Sequence, residues 1–170
     1  EAFKARKVYL IGTATTLQEA MILRESGVDA IIAQGYEAGG HRGSFAANVQ
    51  RSMIGMMALI PSIADKVDRP LIAAGGIMDA RGIVSAITLG ASAVQMGTAF
   101  LNVAESGANP VYKAALTEAS KSTHGCTAIT SSYSGKPARG IETRFMREMA
   151  NEKIPDYPIP HYLSQIIRKE

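Results

Sequence analysis

Short apolar runs alternate with helix-like stretches along the first part of the chain. The runs are Val8-Tyr9-Leu10-Ile11, Ala30-Ile31-Ile32-Ala33, Leu71-Ile72-Ala73-Ala74 and Ala93-Val94-Gln95-Met96. Runs this short, bounded by glycine or threonine turns, suit strands buried on both faces, as parallel strands are. The stretches between them carry helix signals. Thr16 with Glu19 forms a capping box ahead of Ala20-Met21-Ile22-Leu23, and Gly27 closes that helix. Pro61 is expected to open or kink a helix through Ile63 to Val67. Asp79 caps a helix from Arg81 to Ile87, which stops at Gly90. The segment from Gly39 to Gly55 reads as a long loop over a functional site, because long loops in compact domains are usually functional.

The pattern changes after Leu101. Asn109-Pro110 starts a helix through Leu116, and Thr127-Ala128-Ile129-Thr130 reads as a short strand. Ser131 to Gly140 is turn-rich, a helix is expected from Ile141 to about Glu152, and Pro155, Pro158 and Pro160 extend the linker that follows. A last helix is expected over Tyr162 to Arg168. The reading therefore divides the chain into βα units over 1–101 and a helical and loop extension over 102–170 that packs on them. Strands that alternate with helices indicate an α/β fold with a parallel sheet. An open four-stranded sheet would leave two edges to cover. Half of a (β/α)8 barrel accounts better for motifs clustered at strand ends. Glu1 stands where an initiator Met would, so the beginning of the chain is expected upstream.

Every distinctive residue lies just after a predicted strand. Gln34, Gly39, Gly40 and His41 follow the second run, Gly75-Gly76 the third, and Gln95-Met96-Gly97-Thr98 close the fourth. In a parallel barrel these positions meet at the C-terminal face, where active sites form. Gly76 and Gly97 let backbone N–H groups point at phosphate oxygens, and Thr98 adds a hydroxyl donor. A glycine pair alone also reads as a tight turn. His41 reads either as a hydrogen-bonding loop residue or as a proton-handling group, and its place among glycines at a strand end favours the second. His124 and His161 lack such a setting and read as surface or packing residues. Met53, Met56 and Met57 read as adaptable lining.

Composition narrows the classes. Hydrophobic residues make up 46% and charged residues 19%, enough to fill a core. A net charge of +3 without a Lys/Arg cluster argues against nucleic acid, as does an aromatic content of 6% with no Trp. The single Cys126 excludes an internal disulfide and a multi-cysteine metal site, and it fits a reducing, cytoplasmic setting. No apolar stretch is long enough to span a bilayer.

The run Ala33-Gln34-Gly35-Tyr36-Glu37-Ala38-Gly39-Gly40-His41-Arg42-Gly43-Ser44-Phe45 resembles the signature of nitronate monooxygenases, formerly called 2-nitropropane dioxygenases. Pro70 to Ile77, Leu89 to Leu101 and Ser134 to Gly140 are similar to segments of the same family in the same order. The resemblance implies an FMN-dependent TIM barrel, of which this chain is the C-terminal half. It implies FMN contacts at Gln34, Gly39, Gly76, Gln95, Met96, Gly97 and Thr98, and it implies that His41 is the catalytic base. It also implies oxidation of alkyl nitronates, or of nitroalkanes, with O2 to a carbonyl compound and nitrite. The N-terminal half of the barrel is then a required partner, and a homo-oligomer is compatible with the sequence. The rivals are an FMN-dependent enoyl-acyl-carrier-protein reductase or NAD(P)H:quinone reductase of the same fold. A rival of another class is a flavin-binding half-barrel without turnover.

Overall fold

The computed structural model describes residues 2–46 and 48–168. In chain order the elements are α1 (Ala2–Ala5), β1 (Ile11–Ala14), α2 (Leu17–Glu25), β2 (Ala30–Gln34), β3 (Gly40–His41), α3 (Met56–Ala64), β4 (Leu71–Ala74), α4 (Ala80–Thr88), β5 (Ala93–Gln95), α5 (Pro110–Lys121), β6 (Thr127–Thr130), β7 (Ala138–Ile141), α6 (Arg144–Glu148) and α7 (Ile159–Leu163). The chain divides into two compact units. The first is Glu1–Ala38 with Gly43–Ala99, and the second is Gly39–Arg42 with Phe100–Glu170.

The first unit is an all-parallel sheet in the order β1-β2-β4-β5. Its register runs Ile11↔Ala30, Ile31↔Leu71 and Ile72↔Ala93. Crossover helices α2, α3 and α4 connect the strands, as parallel pairing requires. The core joins Ile31 and Ala33 of β2 and Leu71 and Ala73 of β4 to Leu59, Ile60 and Ile63 of α3. Ile31, Leu59, Ile60 and Ile63 are fully buried, and each contributes about 1.5–3 kcal/mol by leaving water. β1 and β5 form the two edges of the sheet, and Ile11 and Ala93 on them are exposed.

Two helix starts follow the sequence closely. Thr16 caps α2 by accepting from the Glu19 amide at 3.2 Å, and Asp79 caps α4 by accepting from the Arg81 amide at 2.9 Å. Other elements are displaced. β1 begins at Ile11, because Val8 and Tyr9 are exposed and the Leu10 amide donates to Asp29 Oδ2 at 2.7 Å. α3 begins at Met56, five residues before Pro61, which lies inside the helix.

The second unit holds a three-stranded antiparallel sheet, β3-β7-β6. Gly40 pairs with Arg139 and His41 with Ala138, while Thr127 to Thr130 pair with Ile141 to Ala138. The expected loop over Gly39–Gly55 therefore contains a short strand, and also a 3-10 turn at Val49–Ser52. The turn-rich Ser131–Gly140 segment likewise ends in a strand. Because Ile141 is in β7, the helix expected from Ile141 starts only at Arg144, capped by Thr143, and ends at Glu148. The last helix runs over Ile159–Leu163 rather than Tyr162–Arg168, with Pro160 in its first turn, where the missing N–H costs nothing. No helix among the described residues is long and apolar enough to cross a membrane.

Candidate active site

The C-terminal ends of β2, β4 and β5 carry the residues that the sequence singles out in the first unit. Gln34 ends β2, and its Oε1 accepts from the Gly43 amide at 2.8 Å. That bond ties the end of the strand to the point where the glycine-rich segment returns. Gly75 and Gly76 follow β4 with φ of 118° and 67°. An L side chain is disfavoured in that region. A Cβ on Gly75 would also stand 2.9 Å from the Ala38 amide nitrogen, so this turn can approach Ala38 only as glycine. Gln95 ends β5 and is exposed, Met96 packs on the core, and Gly97 and Thr98 are exposed.

Two carboxylates that sequence reasoning missed hold the glycine-rich segment. Both oxygens of Glu37 accept from the Met56 amide at 3.0 Å. They cap α3, whose N-cap residue, Gly55, has no side chain to do so. Glu19 is fully buried. Its Oε2 accepts from the Thr15 amide and hydroxyl, each at 2.7 Å, and its Oε1 accepts from the amides of Phe45 at 2.7 Å and Ala46 at 2.9 Å. Burial alone would raise the Glu19 pKa. The Thr15 hydroxyl and the amides of Ala46, Thr15 and Phe45 outweigh it, so the carboxyl titrates below its ordinary range. The sequence reading of Glu19 as half of a capping box captured its amide, while its carboxylate serves the segment after His41.

His41 lies in the second unit, on β3, and is solvent-exposed. Its Nε2 stands 2.8 Å from Ser134 Oγ. Ser134 is buried, and its hydroxyl donates to Lys136 O at 3.0 Å and accepts from the Lys136 amide at 3.2 Å. The imidazole is therefore oriented by a hydroxyl that is itself held by a turn. Desolvation of the ring, with the charges of Lys136, His161 and Arg168, lowers the His41 pKa below the ordinary histidine value. Neutral imidazole, able to accept a proton, is the form this setting favours near neutral pH. Gly39, also in this unit, is exposed. His161, read from sequence as a packing residue, is one of the groups acting on His41, whereas His124 is exposed and contacts Thr123. Of the three methionines, Met56 is buried in the core and Met53 and Met57 are exposed.

The first-unit residues fit the FMN that the sequence resemblance implies. A Cβ at Gly97 would meet nothing within 4 Å, so there is open space beyond the end of β5. Among the described residues, neither the Gly76 nor the Gly97 amide donates to a backbone carbonyl. Donors of that kind on consecutive βα turns suit phosphate oxygens, and an exposed amide such as Gln95 suits the polar edge of a flat ring.

The family model for nitronate monooxygenase matches residues 1–170. A probable nitronate monooxygenase of Staphylococcus saprophyticus is 49% identical over 174 residues, covering 100% of this chain and 48% of that protein. One of Staphylococcus aureus is 52% identical over 169 residues, covering 98% of this chain and 47% of its own length. Among solved structures, a nitroalkane oxidase of Streptomyces ansochromogenes superposes with a TM-score of 0.89 at 38% identity, over 98% of this chain and 48% of the other. FabK of Thermotoga maritima superposes with a TM-score of 0.75 at 36% identity, over 90% of this chain and 46% of the other. The chain spans about half the length of these relatives, and its parallel unit supplies four strands and three crossover helices of a (β/α)8 barrel. On the strength of the match along its whole length, the chain belongs to the nitronate monooxygenase family.

Proposed function

We propose that the protein formed by this chain and the rest of its barrel oxidises alkyl nitronates with O2, giving a carbonyl compound and nitrite. In this reading Gln34, Gly39, Gly76, Gln95, Met96, Gly97 and Thr98 hold FMN, and His41 is the catalytic base. When bound, FMN supplies the redox chemistry, taking electrons from the substrate and passing them to O2. Gly76, Gly97 and Thr98 present backbone and hydroxyl donors to its phosphate, and Gln34 and Gln95 present amides to its ring system. His41 takes the proton alpha to the nitro group when a neutral nitroalkane is the substrate, and Ser134 orients the ring for that step.

The observation that carries this reading is the exposed imidazole of His41, held at 2.8 Å by the buried Ser134 hydroxyl and favoured in its neutral form by its surroundings. A histidine present only for packing needs neither property. The rest of the barrel enters for a separate reason. β1 and β5 are edges, and the relatives are about twice as long. Four further βα units from the N-terminal half would pair with both edges and finish the barrel.

The test is anaerobic mixing of the flavin-loaded full-length protein with an alkyl nitronate and, separately, with NAD(P)H. Bleaching of the flavin band by the nitronate alone is expected. Bleaching by NAD(P)H alone would move the protein to the enoyl-acyl-carrier-protein or quinone reductase reading. Bleaching by neither would leave a flavin-binding barrel without turnover.

A further inference from the structure

α7 turns its apolar side outward. Ile159, Tyr162, Leu163 and Ile166 are 57%, 66%, 72% and 72% exposed. Their spacing is i, i+3, i+4, i+7, which places all four on one side of a helix. Helical turns carry the chain past Leu163 to Ile166. The amides of Ser164 and Arg168 each donate four residues back, to Pro160 O at 2.9 Å and to Ser164 O at 3.1 Å. The opposite side of α7 is already occupied. Pro160 and Ser164 are buried there, and the Ser164 hydroxyl donates to Tyr133 O at 2.5 Å. The segment before α7 is seated as closely. A Cβ on Gly135, at φ of 78°, would stand 2.5 Å from Pro155 O and from the Tyr157 amide nitrogen. α7 is therefore fastened to its own unit by a small, partly polar side and presents four large apolar side chains outward. A surface helix ordinarily does the reverse and turns its apolar stripe toward the core.

We propose that this stripe is a docking surface for the N-terminal half of the same polypeptide. The relatives point to that occupant. They are about twice as long as this chain, so about as much chain again has to be held against it. Four large apolar side chains at helical spacing make an anchor of the kind that a hydrophobic groove takes. The contact is separate from strand pairing at β1 and β5, which involves only the first unit. It ties the second unit, which carries His41 and Ser134, directly to the N-terminal half. The inference rests on the reading that this chain completes a barrel with that half.

The test is hydroxyl-radical footprinting of the unmodified full-length flavin-loaded protein, with oxidation of Tyr162, Leu163 and Ile166 read by peptide mass. Each is expected to react at least about tenfold more slowly than in the same protein unfolded in denaturant, as a side chain closed by a stable contact does. Reaction at the unfolded rate would overturn the dock. Protection that disappears on dilution would assign the stripe to a second copy and overturn it as well. A charge placed on the stripe gives a second readout. Leu163→Asp and Ile166→Asp are expected to lower the denaturant midpoint of the full-length protein, whereas Gln165→Asp, exposed and off the stripe, leaves it unchanged. Equal midpoints for all three would also overturn the dock. Neither readout needs turnover. A protected stripe in a protein whose flavin the nitronate fails to bleach leaves the dock standing and removes the oxidation reading. Slow amide exchange at the β1 and β5 edges together with an unprotected stripe leaves the barrel standing and removes the dock alone.

Discussion

Glu19 and His41 show two opposite treatments of an ionisable side chain in one short protein. Glu19, in the parallel unit, is fully buried, and its carboxylate receives four hydrogen bonds from Thr15, Phe45 and Ala46. His41, in the antiparallel unit, is exposed, is oriented by the Ser134 hydroxyl, and feels three positively charged or basic neighbours. The first group is locked in its charged form and holds backbone. The second is biased toward its neutral form and stays accessible to a reacting molecule. A buried ionised group surrounded by donors is a structural anchor, whereas an accessible one with a lowered pKa is available for proton transfer.

The largest expected effect removes the second group. In the full-length flavin-loaded protein, His41→Ala should slow turnover of a neutral nitroalkane by about 10²–10⁴-fold, the usual worth of a positioned base. Turnover of the preformed nitronate should fall far less, which steady-state rates on both substrates would show. Equal losses on both would mean that His41 holds the site together rather than moving a proton.

Removing the first group should act on stability. Glu19→Ala leaves the buried Thr15 donors and the Phe45 and Ala46 amides without their acceptor, at a cost of about 3 kcal/mol in denaturant unfolding. The pH dependence has a definite sign. The folded-state pKa of Glu19 is depressed, so its contribution is present above the unfolded-state value and is lost as the pH falls through the folded-state value. Unfolding midpoints of the parent should therefore drop more steeply in acid than those of Glu19→Gln.

A smaller effect is expected at Gly76. Gly76→Ala forces an L residue to φ of 67° and sets its Cβ 3.0 Å from Glu37 Cβ, a strain of about 1–2 kcal/mol. FMN affinity should fall with it, as a flavin fluorescence titration would show. The smallest effect belongs to the exposed pair Arg144–Glu148, whose 2.6 Å contact lies on one helix face. Arg144→Ala should change stability by about 0.5 kcal/mol or less.

These differences also explain which parts of the molecule could be read in the sequence. β2 was legible because Ala30-Ile31-Ile32-Ala33 is an apolar run that the fold buries, and β4 for the same reason. β1 was misplaced because Val8 and Tyr9 are apolar yet exposed, so hydrophobicity pointed a few residues too early. β3 and β7 were hidden because glycine and proline around them signal turns. Their pairing, Gly40 with Arg139, joins segments far apart in the chain. The same non-locality hid the influence of His161 on His41, since the two residues stand far apart in the chain. The positions of Gln34, Gly76 and the Gln95–Thr98 turn at strand ends were legible because the apolar pattern fixes those strands. The role of the Glu19 carboxylate was not, since a capping box accounts for that residue locally and nothing nearby in the chain points to Phe45 and Ala46.

The most direct test of His41 as a neutral base is the pH dependence of anaerobic flavin bleaching by a neutral nitroalkane in the full-length FMN-loaded protein. The account expects a plateau at neutral pH and a single acid limb lying below the ordinary histidine range, because His41 stays unprotonated to lower pH than a free imidazole. In His41→Gln that limb should vanish along with most of the rate. An acid limb at or above the ordinary histidine range, or one that persists unchanged in His41→Gln, would contradict it.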